Sequence, residues 1–75
     1  MIESGILTKI ISAYQIAEAT HGEFFSCKKE GVLCITEEVG ELAQAIMDKH
    51  SDQKQEAELI DIIVACCRLH EKHYS

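Results

Sequence analysis

Proline is absent from the 75 residues, and glycine occurs only at Gly5, Gly22, Gly31 and Gly40. With so few backbone breakers the chain is expected to be mostly helix. Also lacking is an uninterrupted apolar run of the ~18–20 residues that a membrane span needs. Asp61 splits the longest run and Arg68 ends it, so no membrane partner is expected. The opening MIESGILTKI has neither a basic leader nor a small-residue cleavage site, from which a cytoplasmic location is the expectation. Basic side chains are scarce, seven against thirteen acidic ones, for a net charge of -6. That surplus repels phosphate backbones and anionic lipid, and argues against binding of a nucleic acid polymer. The four cysteines, Cys27, Cys34, Cys66 and Cys67, show no CxxC spacing. They fit neither a secreted disulfide framework nor a zinc ribbon, and are expected as buried thiols that act as small hydrophobes. No glycine-rich phosphate loop, Ser-His-Asp pattern or internal repeat is present. Nucleophilic catalysis therefore has no support.

What is present is apolar material, 47% of the chain, enough for one domain over residues 1–75. A core of this size typically supplies no more than ~3–5 kcal/mol, so a second copy of the chain or a metal is expected to assist it. Ile6, Leu7, Ile10, Ile11, Tyr14 and Ala17 recur at helical spacing and predict a first helix over 4–20. Residues 21–30 read as a loop with one possible turn, for which Thr20 and Glu23 would form a capping box. In that loop Phe24 and Phe25 are expected to plug the core rather than stack on a nucleobase. Ile35, Val39, Leu42, Ala43, Ile46 and Met47 mark a second helix over 31–49, with Gly40 inside it at a cost of about 1 kcal/mol. A close helix crossing would account for that glycine. Asp52 and Gln55 read as the cap of a third helix over 52–73, ~33 Å long. Its middle, LIDIIVACCRL, is apolar on every side except at Asp61 and must be surrounded. Two partner helices from one chain cannot readily do so. The fold class expected is therefore all-α, a bundle of three main helices per chain completed by homo-oligomerisation into a four-helix core.

The polar residues of these helices are patterned too. Glu37, Glu38 and Glu41 lie in ITEEVGEL, and Glu58 and Asp61 in AELIDII. Residues three apart on a helix point the same way, so Glu38 with Glu41, and Glu58 with Asp61, each form a two-carboxylate pincer. Two antiparallel helices joined by a short turn can bring the pincers face to face. Asp61 is the most informative of the four, because a carboxylate inside LIDIIV is costly to desolvate without a cation. Its nearest basic residues, Lys54 and Arg68, are each seven places away. Four converging carboxylates without matching bases suit one or two magnesium ions, while solvated acidic faces are the bland alternative.

The pattern Glu37-Glu38-x-x-Glu41, sixteen intervening residues, Glu58-x-x-Asp61 resembles the signature of the MazG-like all-α nucleoside triphosphate pyrophosphohydrolases. The likeness spans roughly residues 32–69 and includes the flanking ITEEVGELAQAI and EAELIDIIVACCRL. It implies a homodimer or homotetramer that hydrolyses a nucleoside triphosphate to monophosphate and pyrophosphate with Mg2+, for which Mn2+ could substitute. Carried onto this chain, Glu38, Glu41, Glu58 and Asp61 would hold the metal, and Glu37 would orient or deprotonate the attacking water. A housecleaning role in the nucleotide pool is what such a resemblance suggests. Larger members have further helical sequence that contacts the nucleotide. Here those contacts are expected from Lys28, Lys54 or Arg68, from Lys9, Lys29 or Lys72, or from a partner chain. Zinc held by Cys66, His70 and His73 on one helix face is a weaker candidate, because structural zinc sites usually draw on two segments. The rival readings are a non-catalytic helical oligomerisation module and a nucleotide sensor.

Overall fold

A computed structural model describes residues 3–75; the first two residues of the segment read for a leader lie outside it. Three helices follow in order: α1 Ser4–His21, α2 Lys28–Met47 and α3 Asp52–His73. The all-α expectation holds for the described residues, which contain no strand. No helix among them is long and apolar enough to cross a membrane.

The boundaries show local chemistry that periodicity alone does not reveal. α1 runs to His21 and ends where Gly22, at φ 67°, donates its N–H to the Glu18 carbonyl. The capping box at Thr20 and Glu23 is not formed, because Thr20 is still inside that helix. α2 starts three residues before Gly31, so that glycine is not a breaker. It sits in the first turn, where a Cβ would come within 2.7 Å of the Phe24 ring and 3.2 Å of Leu69. α2 stops two residues short of Lys49. The stop is a Schellman motif, with His50 N–H on the Ala45 carbonyl and Lys49 N–H on that of Ile46. Lys49 takes the left-handed position, φ 56°, that glycine usually fills. The cap of α3 is Ser51, not Asp52: Ser51 Oγ accepts from Lys54 N–H at 3.2 Å, and Gln55 reaches back to the His50 carbonyl.

α3 packs on both other helices, more extensively on α2, while α1 and α2 do not pack on each other. The bundle is thus a layer with α3 in the middle and a groove between its flanks. Its apolar core is small: Ala45, Ile60, Val64 and Ala65 are buried, and among the described residues no large side chain is completely so. One chain does not surround α3. Leu59, Cys66 and Cys67 face water, because its partners cover only two sides. The buried-thiol expectation fails: Cys66 and Cys67 are exposed for the same reason, Cys27 is exposed at the start of α2, and Cys34 is half-buried.

Candidate functional site

The groove holds a cleft of about 530 Å³. Its floor is α3, through Asp61, Val64, Ala65 and Arg68. One wall is the end of α1, at Ala17 and His21; the other is α2, at Cys34, Glu37, Glu38 and Glu41; Phe24 and Phe25 of the intervening loop also line it. Helix geometry explains the assembly. Ile60, Val64 and Arg68 recur every four residues and turn inward, which leaves Asp61, about 60° round the axis from Val64, aimed between the flanking helices. Asp61 is therefore exposed to the cleft rather than buried among the apolar residues of LIDIIV. This corrects the expectation of a buried pincer.

Four of the five expected carboxylates, Glu37, Glu38, Glu41 and Asp61, line the cleft. Glu58 does not, although its charge still reaches Glu38. Partial burial pushes the Glu38 carboxyl above its ordinary range, and repulsion from Asp61, Glu41 and Glu58 adds to that. The Cys34 thiol, 3.9 Å from Glu38 Oε1, opposes the shift. Asp61 is raised as well, by desolvation against the cleft walls and then by Glu41, with His21 opposing. Burial likewise raises the Cys34 thiol, and Glu38 and Glu37 reinforce it.

This donor set fits a small hard cation: carboxylate oxygens from two helices, crowded enough to disfavour their own ionisation. They do not stand clenched on a point. Among the described residues no three His, Cys, Asp or Glu side chains are close enough to hold one ion, so the carboxylates would have to turn toward it. Cys66, His70 and His73 are no exception; His73 Nε2 meets the Phe25 carbonyl at 2.9 Å, and His70 stacks on Tyr74.

The expected cations are distributed differently. Arg68 lines the cleft but is buried, with 7% of its surface exposed. Its Nη2 donates to the Gly22 carbonyl and, at 3.3 Å, to Glu18, while Phe24 lies over the guanidinium. Arg68 thereby ties the end of α1 and the following loop to α3. Lys54, at the start of α3, and Lys28, 4.6 Å over the Tyr74 ring, both lie outside the cleft lining. Lys9 pairs with Glu56 at 2.7 Å, and Lys72 stands 4.0 Å from Glu23. Phe24 behaves as the expected plug, wedged between Gly31, Leu69 and Arg68; Phe25 is 41% exposed and borders the cleft. Sequence reasoning missed His21 and Cys34. Cys34, one turn before Glu38 on the same helix face, carried a signal that could have been used.

The chain matches no protein-family model, no characterised protein and no solved structure.

Proposed function

We propose that the chain is a magnesium-dependent nucleoside triphosphate pyrophosphohydrolase that converts a (d)NTP to (d)NMP and pyrophosphate, in keeping with nucleotide-pool housecleaning. One observation supports this above all: Glu37, Glu38, Glu41 and Asp61 share one open cleft, and both Glu38 and Asp61 are raised by burial and neighbouring negative charge. Such a cluster stabilises neither itself nor the fold, whereas a divalent cation would relieve it.

In this reading Glu38, Glu41 and Asp61 hold Mg2+, or Mn2+ in its place, and Glu58 adds negative charge from behind Glu38. When bound, the ion supplies neutralisation of charge developing on phosphate oxygens. Glu37, on the cleft wall beside this group, orients a water and accepts its proton. The enzyme acts as a homodimer or homotetramer with a four-helix core, in the cytoplasm. A second reading, a non-catalytic oligomerisation or nucleotide-sensing module, draws on the amount of apolar surface left exposed.

The test is pyrophosphate release from a panel of canonical and modified nucleoside triphosphates, with magnesium and with chelator. Magnesium-dependent release of pyrophosphate together with monophosphate, abolished by Glu38→Gln with helical content intact, is the expected result. No turnover across the panel, with magnesium still raising the melting temperature, would replace the enzyme by the sensor. Full turnover in both Glu38→Gln and Asp61→Asn would refute the assigned carboxylates.

A further inference from the structure

α2 has two apolar faces, and only one of them is used within the chain. The inner face carries Gly31, Ile35, Leu42 and Ala45 toward α3. Beside it around the axis and away from the carboxylates, Val32, Leu33, Thr36, Val39, Gly40, Ala43, Ile46 and Met47 are all exposed. At 3.6 residues per turn these lie within an arc of about 140°. Between Lys29 and Asp48 that arc holds no charged residue. The acids of α2, Glu30, Glu37, Glu38 and Glu41, stand elsewhere around the axis. Val32, Thr36, Val39, Ala43 and Ile46 repeat at intervals of four and three, the spacing of a helix–helix seam. Among the described residues nothing comes within 4 Å of a Cβ built on Gly40, so no helix crossing among them accounts for that glycine.

We propose that this face is where a second copy of the chain packs, α2 antiparallel to α2 about a two-fold axis beside Val39 and Gly40. The distribution of bulk selects the occupant. Val32 and Leu33 are large at one end, Ile46 and Met47 at the other, and Thr36, Gly40 and Ala43 are small between them, with Val39 the one larger residue at the centre. The pattern is nearly unchanged when reversed, as an isologous interface requires. Each large end then meets the opposite large end of the other copy, Thr36 meets Ala43, and Gly40 allows the backbones to approach at the axis.

Area agrees with a second copy. A monomer of 8.4 kDa ordinarily exposes about 4,600 Å², whereas this chain exposes 5527 Å². The excess of about 900 Å² is close to the ~800 Å² per partner of a standard interface. The face is also continuous over about 22 Å of helix, four turns, which a single exposed hydrophobe is not. Because the carboxylate cleft lies on the other side of α2, pairing leaves both clefts open. The proposal gives the oligomer its interface and does not depend on turnover.

Sedimentation equilibrium of the full chain at micromolar concentration tests it. The unaltered protein should have about twice the 8.4 kDa chain mass. Val39→Lys should weaken the dimer about thirty-fold or more. Ile16→Lys, on an exposed part of α1, should leave it intact. Thr36→Glu and Ala43→Lys should each dissociate the dimer, and the double variant should restore it, because antiparallel pairing sets each introduced acid against an introduced base. A parallel seam would instead oppose like charges. A monomeric unaltered protein, a Val39→Lys variant that remains dimeric, or a double variant that stays dissociated would overturn the proposal. The rescue by the double variant separates loss of pairing from loss of folding.

Discussion

Replacing Asp61 by asparagine should have opposite effects on the protein without and with magnesium. Without the ion, Asp61 is a carboxylate held above its ordinary range by desolvation and by Glu41. Such a group binds its proton more tightly in the folded chain than in the unfolded one. Its contribution to stability is therefore full below the unfolded value near 4, is lost as pH rises through the folded value, and stays lost at neutral pH. Asparagine removes that penalty. Because the residue is largely open to water, the gain should stay below about 1 kcal/mol. With the ion the order reverses. Magnesium at about 10 mM on a site with a dissociation constant of about 1 mM stabilises the fold by about 1.4 kcal/mol. For a domain of this size that is roughly 6–11 °C in Tm. Melts followed by far-UV circular dichroism at pH 7.5, with magnesium and with chelator, should show most of this rise in the unaltered protein and little in Asp61→Asn. At pH 4, where the raised Glu38 and Asp61 carboxyls hold their protons more firmly than ordinary carboxyls do, the rise should shrink in both. Equal rises in the two proteins at pH 7.5, or a larger one at pH 4, would refute the assignment of Asp61 to a cation.

Two glycine exchanges probe how the site's frame is built. Gly31→Ala gains about 1 kcal/mol of helix propensity but drives a methyl into the Phe24 ring and Leu69, an overpacking that costs about 1–3 kcal/mol. A net loss of up to about 2 kcal/mol in urea unfolding is expected; a variant of greater stability would mean that Phe24 is not wedged. Lys49→Gly should raise the unfolding free energy by about 1 kcal/mol and move the urea midpoint upward, because the left-handed backbone at Lys49 is strained for any residue with a Cβ. An unchanged or lower midpoint would show that this strain is negligible.

The first two helices were legible because their apolar signal is periodic over several turns, and the third because a capped segment has a long apolar middle between polar ends. Their ends were less so, since each depends on a single contact. Phe24 needs the notch at Gly31, and Ser51, one residue before the expected cap, offers its hydroxyl to Lys54 N–H. The pairing of Glu38 and Glu41 with Asp61 could be read from i, i+3 spacing, which fixes direction around an axis. The place of Glu58 could not, because whether a residue faces a groove or the neighbouring helix depends on how far the helices stand apart. Arg68 shows the same limit. Its charge suggested a phosphate ligand, but its partners, Glu18 and the Gly22 carbonyl, lie 50 and 46 residues away and are brought to it only by packing.

The separation of α1 from α2 and the position of Asp61 are two sides of one arrangement. α3 has enough inward apolar surface, through Ile60, Val64 and Ala65, to bind two helices but not to draw them together over a third face. The residue aimed at the gap is the aspartate, and the residues across from it on α2 are glutamates. An apolar side chain at that position would favour closing the groove, because burying its surface is worth about 25 cal/mol per Å². Carboxylates favour the reverse: their mutual repulsion and need for water hold the groove open and keep the side chains from converging. The same helix that lines this wet groove presents its uncharged face on the opposite side. On the proposed reading α2 separates two tasks by angle around its axis, the acids being placed to meet a cation and the apolar arc to meet a second copy of the chain.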